Sequence, residues 1–159
     1  MPSRIACACA VAFLTFAAAS AREEKVSLGH VPKPVMDAVK TRFPQGKPTE
    51  AARETEEGRP VYEVSLQEAG HNVDVTLTPE GTLLLIERTI PGTGLPDPVR
   101  QALEHAYPGA SYRTVEEIVE VDHGQERLAS YEVVLVRSGG GKREVKVTAD
   151  GATVTEEED

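Results

Sequence analysis

Tryptophan is absent from this chain, and cysteine occurs only at Cys7 and Cys9. Both cysteines lie in an apolar run over residues 5–18, which follows Met1-Pro2-Ser3-Arg4 and precedes Ala19-Ser20-Ala21. One basic residue, a short apolar stretch and a small-residue triplet form the pattern of a secretory signal peptide over residues 1–21. The run is shorter than the roughly 20 residues needed to span a bilayer. A lipid anchor would place its cysteine after the apolar region, whereas these two precede most of it. The expected mature chain therefore has no thiol. That excludes disulfides, cysteine nucleophiles and thiolate metal sites. About 140 mature residues can bury a sufficient core without covalent staples.

Aromatic residues are scarce, at 4% of the chain, which argues against a platform that stacks on sugars. Positive charge is also short: 17 Lys and Arg face 26 Asp and Glu, for a formal net charge of −9. Such a field repels nucleic-acid phosphates and anionic lipid surfaces. No second apolar run follows residue 21, so no membrane insertion is expected after signal removal. Glu156-Glu157-Glu158-Asp159 reads as a solvated acidic terminus.

What the chain does have is internal repetition. Residues 31–44 (VPKPVMDAVKTRFP) align without a gap to residues 95–108 (LPDPVRQALEHAYP). Tyr62-Glu63-Val64 matches Tyr131-Glu132-Val133, and Glu80-Gly81 matches Asp150-Gly151. Residues 91–94 (PGTG) read as the linker. The second copy carries extra residues near 121–129 and 139–141.

Each copy opens with a helical pattern. Val31, Val35, Val39 and Phe43 recur every four residues, as do Leu95, Val99, Leu103 and Tyr107. Pro34 and Pro98 suit a first helical turn, where no N–H is needed. Pro44 and Pro108 stop each helix. The remainder alternates as strands: Tyr62, Val64 and Leu66, then Val73, Val75 and Leu77; in copy two Tyr131, Val133 and Leu135, then Val145 and Val147. Weaker first strands fall near residues 49–57 and 112–121. The run Leu83-Leu84-Leu85-Ile86 breaks the alternation, which predicts a central strand covered on both faces.

In this order the motifs resemble PepSY-like domains, a family also described as β-lactamase-inhibitor-like. The residues that carry the resemblance are Val31-Pro32, Phe43-Pro44, Tyr62-Glu63-Val64 and Glu80-Gly81. In copy two they are Leu95-Pro96, Tyr107-Pro108, Tyr131-Glu132-Val133 and Asp150-Gly151. The resemblance spans roughly residues 31–158. It implies a helix on one face of an antiparallel sheet in each copy. It also implies an exported or cell-envelope protein that binds proteins or peptides, with inhibition of proteases or β-lactamases suggested for some relatives. It supplies no catalytic residue set.

The residues themselves offer no enzyme chemistry. His30, His71, His105 and His123 lack metal-ligand spacing. No Gly-x-Ser-x-Gly elbow exists. Gly139-Gly140-Gly141-Lys142 lacks the Ser or Thr and the helix of a phosphate loop. Glu56-Glu57 and Glu116-Glu117 point to opposite faces if they lie on strands. Tyr62 and Tyr131 read as core, and no EF-hand pattern organises the acids.

The expected fold is α+β: two tandem modules, each a helix packed on a three- or four-stranded antiparallel sheet. Residues 1–21 form the signal, 22–30 an N-terminal segment, 31–90 module one, 91–94 the linker and 95–159 module two with the acidic tail. The expected function is an exported, periplasmic or extracellular, non-enzymatic module that binds a protein or peptide, and inhibition of a secreted or envelope enzyme is its finer form. The alternative is an envelope sensor of a small ligand or cation. No cofactor, catalytic residue or metal ligand is expected. The candidate contact residues are two hairpin tips, Gly70, His71 and Asn72, and Ser138, Gly139, Gly140 and Lys142.

Overall fold

The computed structural model describes residues 24–56, 58–137 and 139–157. The expected signal peptide, candidate residue Ser138 and the last two residues of the acidic tail lie outside that set.

Two ten-residue helices form where the four-residue stripes predicted them: α1 at Lys33–Arg42 and α2 at Asp97–Ala106. Pro34 and Pro98 sit in their first turns. Phe43 and Tyr107 close them, each donating its backbone N–H at 2.8 Å to the carbonyl four residues back, and a proline follows each.

The strands are β1 (Glu24–Lys25), β2 (Lys47–Glu56), β3 (Arg59–Glu68), β4 (His71–Leu77), β5 (Leu83–Thr89), β6 (Ser111–Asp122), β7 (Gln125–Val136), β8 (Lys142–Thr148) and β9 (Val154–Glu156). All pair antiparallel, in sequence order, within one nine-stranded sheet. This corrects the expected fold class. The chain does not form two modules that each hold a separate small sheet. It forms one continuous sheet with two helices laid against it. The physical reason is the β5–β6 pairing, from Leu85↔Glu120 to Thr89↔Glu116, which joins the two halves by backbone hydrogen bonds.

The Leu83–Ile86 run occupies the fifth position of nine, as its two-sided apolar character suggested. Cover on both faces is not what is found: Ile86 is buried under α1, while Leu85 lies half-buried on the other face. Part of the broken alternation is a bulge. Thr76 pairs with Leu85 and Leu77 with Leu83, so Leu84 is the extra residue.

Both helices lie on the same face of the sheet. Val35 and Val39 of α1 pack with Val64, Leu66, Val73, Val75, Leu77 and Ile86. Ile86 pairs with Val119 of β6, which joins that core. Val115, four residues earlier on the same side of β6, belongs to the core beneath Val99 and Leu103 of α2. Each fully buried Val or Leu contributes roughly 1.5–3 kcal/mol. These two clusters account for the helix-bearing face, and the opposite face carries neither helix.

Candidate functional site

Strand alternation decides what the open face presents. On β4 the core takes Val73, Val75 and Leu77, so Asn72, Asp74 and Thr76 point the other way. On β3 this leaves Glu63 and Ser65. On β5 it leaves Leu85, Glu87 and Thr89, on β6 Glu116 and Ile118, and on β7 Ser130 and Glu132. The register confirms one row across the sheet: Ser65↔Asp74, Asp74↔Glu87, Glu87↔Ile118, Ile118↔Ser130 and Ser130↔Thr148.

Glu87 stands in the middle of this face. Burial pushes its carboxyl up to about 8, and the charges of Glu132, Glu63, Glu116 and Asp74 push the same way. It has no hydrogen-bond or ion-pair partner among the described residues. Glu116 is also raised, first by burial, although the Thr89 hydroxyl donates to it at 3.3 Å and opposes the shift.

A cation sits at one side of the cluster. Lys146 on β8 donates to Glu132 at 2.7 Å and lies 4.0 Å from Glu157. Burial works against its charge, but the bond to Glu132 and the nearby carboxylates outweigh burial and raise its pKa. Glu132, Glu144 and Glu157 each offer an oxygen within 4.8 Å of the others. The ammonium of Lys146 already serves two of the three, Glu132 and Glu157.

The two hairpin tips lie at the same end of the sheet but not together. Strand spacing sets them roughly 20 Å apart, because four strand intervals separate them. At the first tip, Ala69 and Gly70 take positive φ, at 49° and 87°. His71 begins β4, and its Nδ1 lies 2.9 Å from the Thr89 carbonyl, so this ring tethers β4 to the end of β5. Asn72 accepts a hydrogen bond from Gln67. It also lines a cavity of about 330 Å³ with Thr89, Pro91, Gly92, Tyr112 and Glu116, where the two halves meet. At the second tip, Gly140 N donates to Arg137 O at 2.8 Å, Gly139 is exposed, and exposed Lys142 starts β8.

Other sequence candidates resolve as structure. Glu116 faces the acidic cluster while Glu117 faces Arg88 on the helix side, 4.0 Å away. Tyr131 is buried in the second core and Tyr62 packs against the first. His30 is held by Ser27 at 2.6 Å, and His123 lies 3.6 Å from Asp122 at an exposed turn.

The acidic cluster is not apparent from local sequence. Its signal was present in the outward positions of the alternating strands, which carry Glu63, Asp74, Glu116 and Glu132. Only the pairing of β5 with β6 gathers them around Glu87.

Two family models match the chain in tandem. Residues 35–80 match the PepSY model, described as "Peptidase propeptide and YPEB domain". Residues 85–152 match the PepSY-like model, described as "beta-lactamase-inhibitor-like, PepSY-like". The chain belongs to the PepSY-like family.

Solved structures share this PepSY-like chain's fold at low identity. A protein from Bacteroides eggerthii, described as periplasmic, is 15% identical, with a TM-score of 0.63 over 80% of this chain and 90% of that one. A DUF2874 family protein from Bacteroides uniformis is 16% identical, with a TM-score of 0.62 over 79% and 88%. A BLIP-like protein from Bacteroides fragilis is 17% identical, with a TM-score of 0.55 over 78% and 83%. Comparison with curated protein sequences finds no match. Among the described residues, no helix is long and apolar enough to cross a membrane.

Proposed function

We propose that this PepSY-like chain is an exported, non-enzymatic module that binds a protein partner across the open face of its sheet. One observation carries the reading: among the described residues, both helices cover the same face and no layer covers the opposite face of the nine strands. A broad sheet face with half-buried apolar and acidic side chains suits a macromolecular surface better than a small-molecule pocket. Residues 31–90 and 95–159 then act as two halves of one platform joined by residues 91–94. The tips at Gly70 to Asn72 and Gly139 to Lys142 border its end.

Export is favoured by the signal pattern and by the periplasmic description of a fold relative. Inhibition of a secreted or envelope enzyme is the finer form of the proposal, favoured by the inhibitor-like family model and the BLIP-like relative.

Charge reversal tests the face. Glu120 and Glu144 are exposed on the open face, whereas Asp37 and Glu104 are exposed on the helices. A partner retained by the wild-type chain from an envelope extract should be lost with Glu120→Lys and Glu144→Lys. It should be kept with Asp37→Lys and Glu104→Lys. Loss confined to the helix variants would refute the assignment.

A further inference from the structure

We propose that the carboxyl cluster around Glu87 receives a lysine or arginine side chain of the protein partner. The inference rests on the open face being the docking surface and specifies the chemistry at its centre.

Three observations converge. Glu87 is mostly buried on that face, with Glu63 arriving from β3, Asp74 from β4, Glu116 from β6 and Glu132 from β7. Among the described residues, Lys146 of β8 places its ion pairs on Glu132 and Glu157, and Glu87 acts on it only through charge at longer range. Independently, Ser130 on the same face is 4% exposed, and its hydroxyl has no hydrogen-bond partner among the described residues. Ser130 and Glu87 flank Ile118 in one register row, two strand spacings or roughly 10 Å apart.

The occupant follows from the mixture. A long cationic side chain lays its apolar stem against half-buried Leu85 and brings its N–H donors to the carboxylates, on the side toward the unpartnered Ser130 hydroxyl. A hard divalent cation is a poorer fit. It needs six to eight oxygens at about 2.3–2.6 Å, and these carboxyls are spread over five strands with Ile118 among them. The chain's net charge of −9 draws a cationic partner toward the face.

Proton linkage follows. The four neighbouring carboxylates and burial keep Glu87 protonated near neutral pH, with Lys146 opposing them from one side. A bound ammonium or guanidinium reverses that balance, so binding releases the proton and tightens as pH rises.

The test is calorimetric titration of the full chain with hexalysine at low ionic strength between pH 6 and pH 9. Wild type should bind roughly tenfold more tightly at pH 9 than at pH 6. Glu87→Gln, a neutral isostere, should fold, bind more weakly at pH 9 and lose the rise. Glu104→Gln on α2 should match wild type. Equal behaviour of Glu87→Gln and wild type would overturn the proposal. So would silence with hexalysine alongside heat from Ca²⁺ alone. If hexalysine fails but open-face charge reversals still abolish partner retention, the docking surface stands and its cationic occupant falls.

Discussion

Arg42 at the end of α1 donates two hydrogen bonds to Glu126 near the start of β7, Nε to Oε1 at 2.5 Å and Nη2 to Oε2 at 2.9 Å. The pair ties the helix of the first half to the long hairpin of the second. Both side chains are more than a third exposed, at 38% and 39%, so screening limits the bidentate gain. Arg42→Ala should cost about 0.5–1 kcal/mol in urea unfolding, and less in 1 M salt. The Arg42 bond holds the Glu126 carboxyl below its usual range, so this contribution is present above the unfolded value of about 4.5 and fades as pH falls through the lower folded value. The double reversal Arg42→Glu with Glu126→Arg should recover part of the loss.

Gly81 and Gly151 occupy equivalent turns in the two halves, with φ of 87° and 75°. A Cβ at Gly81 would meet the Pro34 carbonyl oxygen at 2.5 Å, and one at Gly151 would meet the Pro98 carbonyl oxygen at 2.6 Å. Each turn is thus pressed against the first turn of its helix. Gly81→Ala and Gly151→Ala should each destabilise by about 2 kcal/mol or more, from backbone strain and the clash together. Gly139→Ala, with open space around it, should cost far less in the same unfolding experiment.

Glu87 should make stability fall with pH. Its folded value of about 8 lies above the ordinary glutamate value of 4.5. Between those values the folded chain holds a proton that the unfolded chain has released. The contribution is full below pH 4.5 and lost as pH rises through 8. Glu87→Gln and wild type should therefore agree near pH 4. By pH 9 the variant should be the more stable by roughly 2–4 kcal/mol. Parallel stability curves over that range would show that Glu87 is not held protonated.

The continuous sheet predicts shared unfolding. Leu66→Ala in the first core should cost about 2–5 kcal/mol. The same substitution at Leu135 should act alike in the second. Because Val119 of β6 packs in the first core, damage at Leu66 should also weaken amide protection of Val133 in native-state hydrogen exchange. Unchanged protection at Val133 would mean that the halves open independently.

Much of this was legible locally. The four-residue stripes located both helices, and Tyr62-Glu63-Val64 and Tyr131-Glu132-Val133 located the two matching strands. The Leu83-Leu84-Leu85-Ile86 run placed β5 centrally. The single sheet was not legible, because the β5–β6 pairing depends on two strands separated by a linker and a helix. Nor was the common face of the helices. Bulges at Thr49, Leu84, Arg113 and Ala129 each shift the strand parity by one residue. Counting alternation through such positions assigns the wrong side. Turn chemistry makes the glycine-rich tips conspicuous in sequence, whereas the acids on β3 to β7 come together only through strand pairing.

The central claim is that the partner sits on the helix-free face. Photo-crosslinking residues placed singly at Gln67 and Thr155 on that face, and at Lys40 and Gln101 on the helices, test it most directly; all four positions are exposed. The account predicts one common adduct from Gln67 and Thr155 in a native envelope preparation, and none from Lys40 or Gln101. An adduct formed through Lys40 or Gln101, with Gln67 and Thr155 silent, would contradict it.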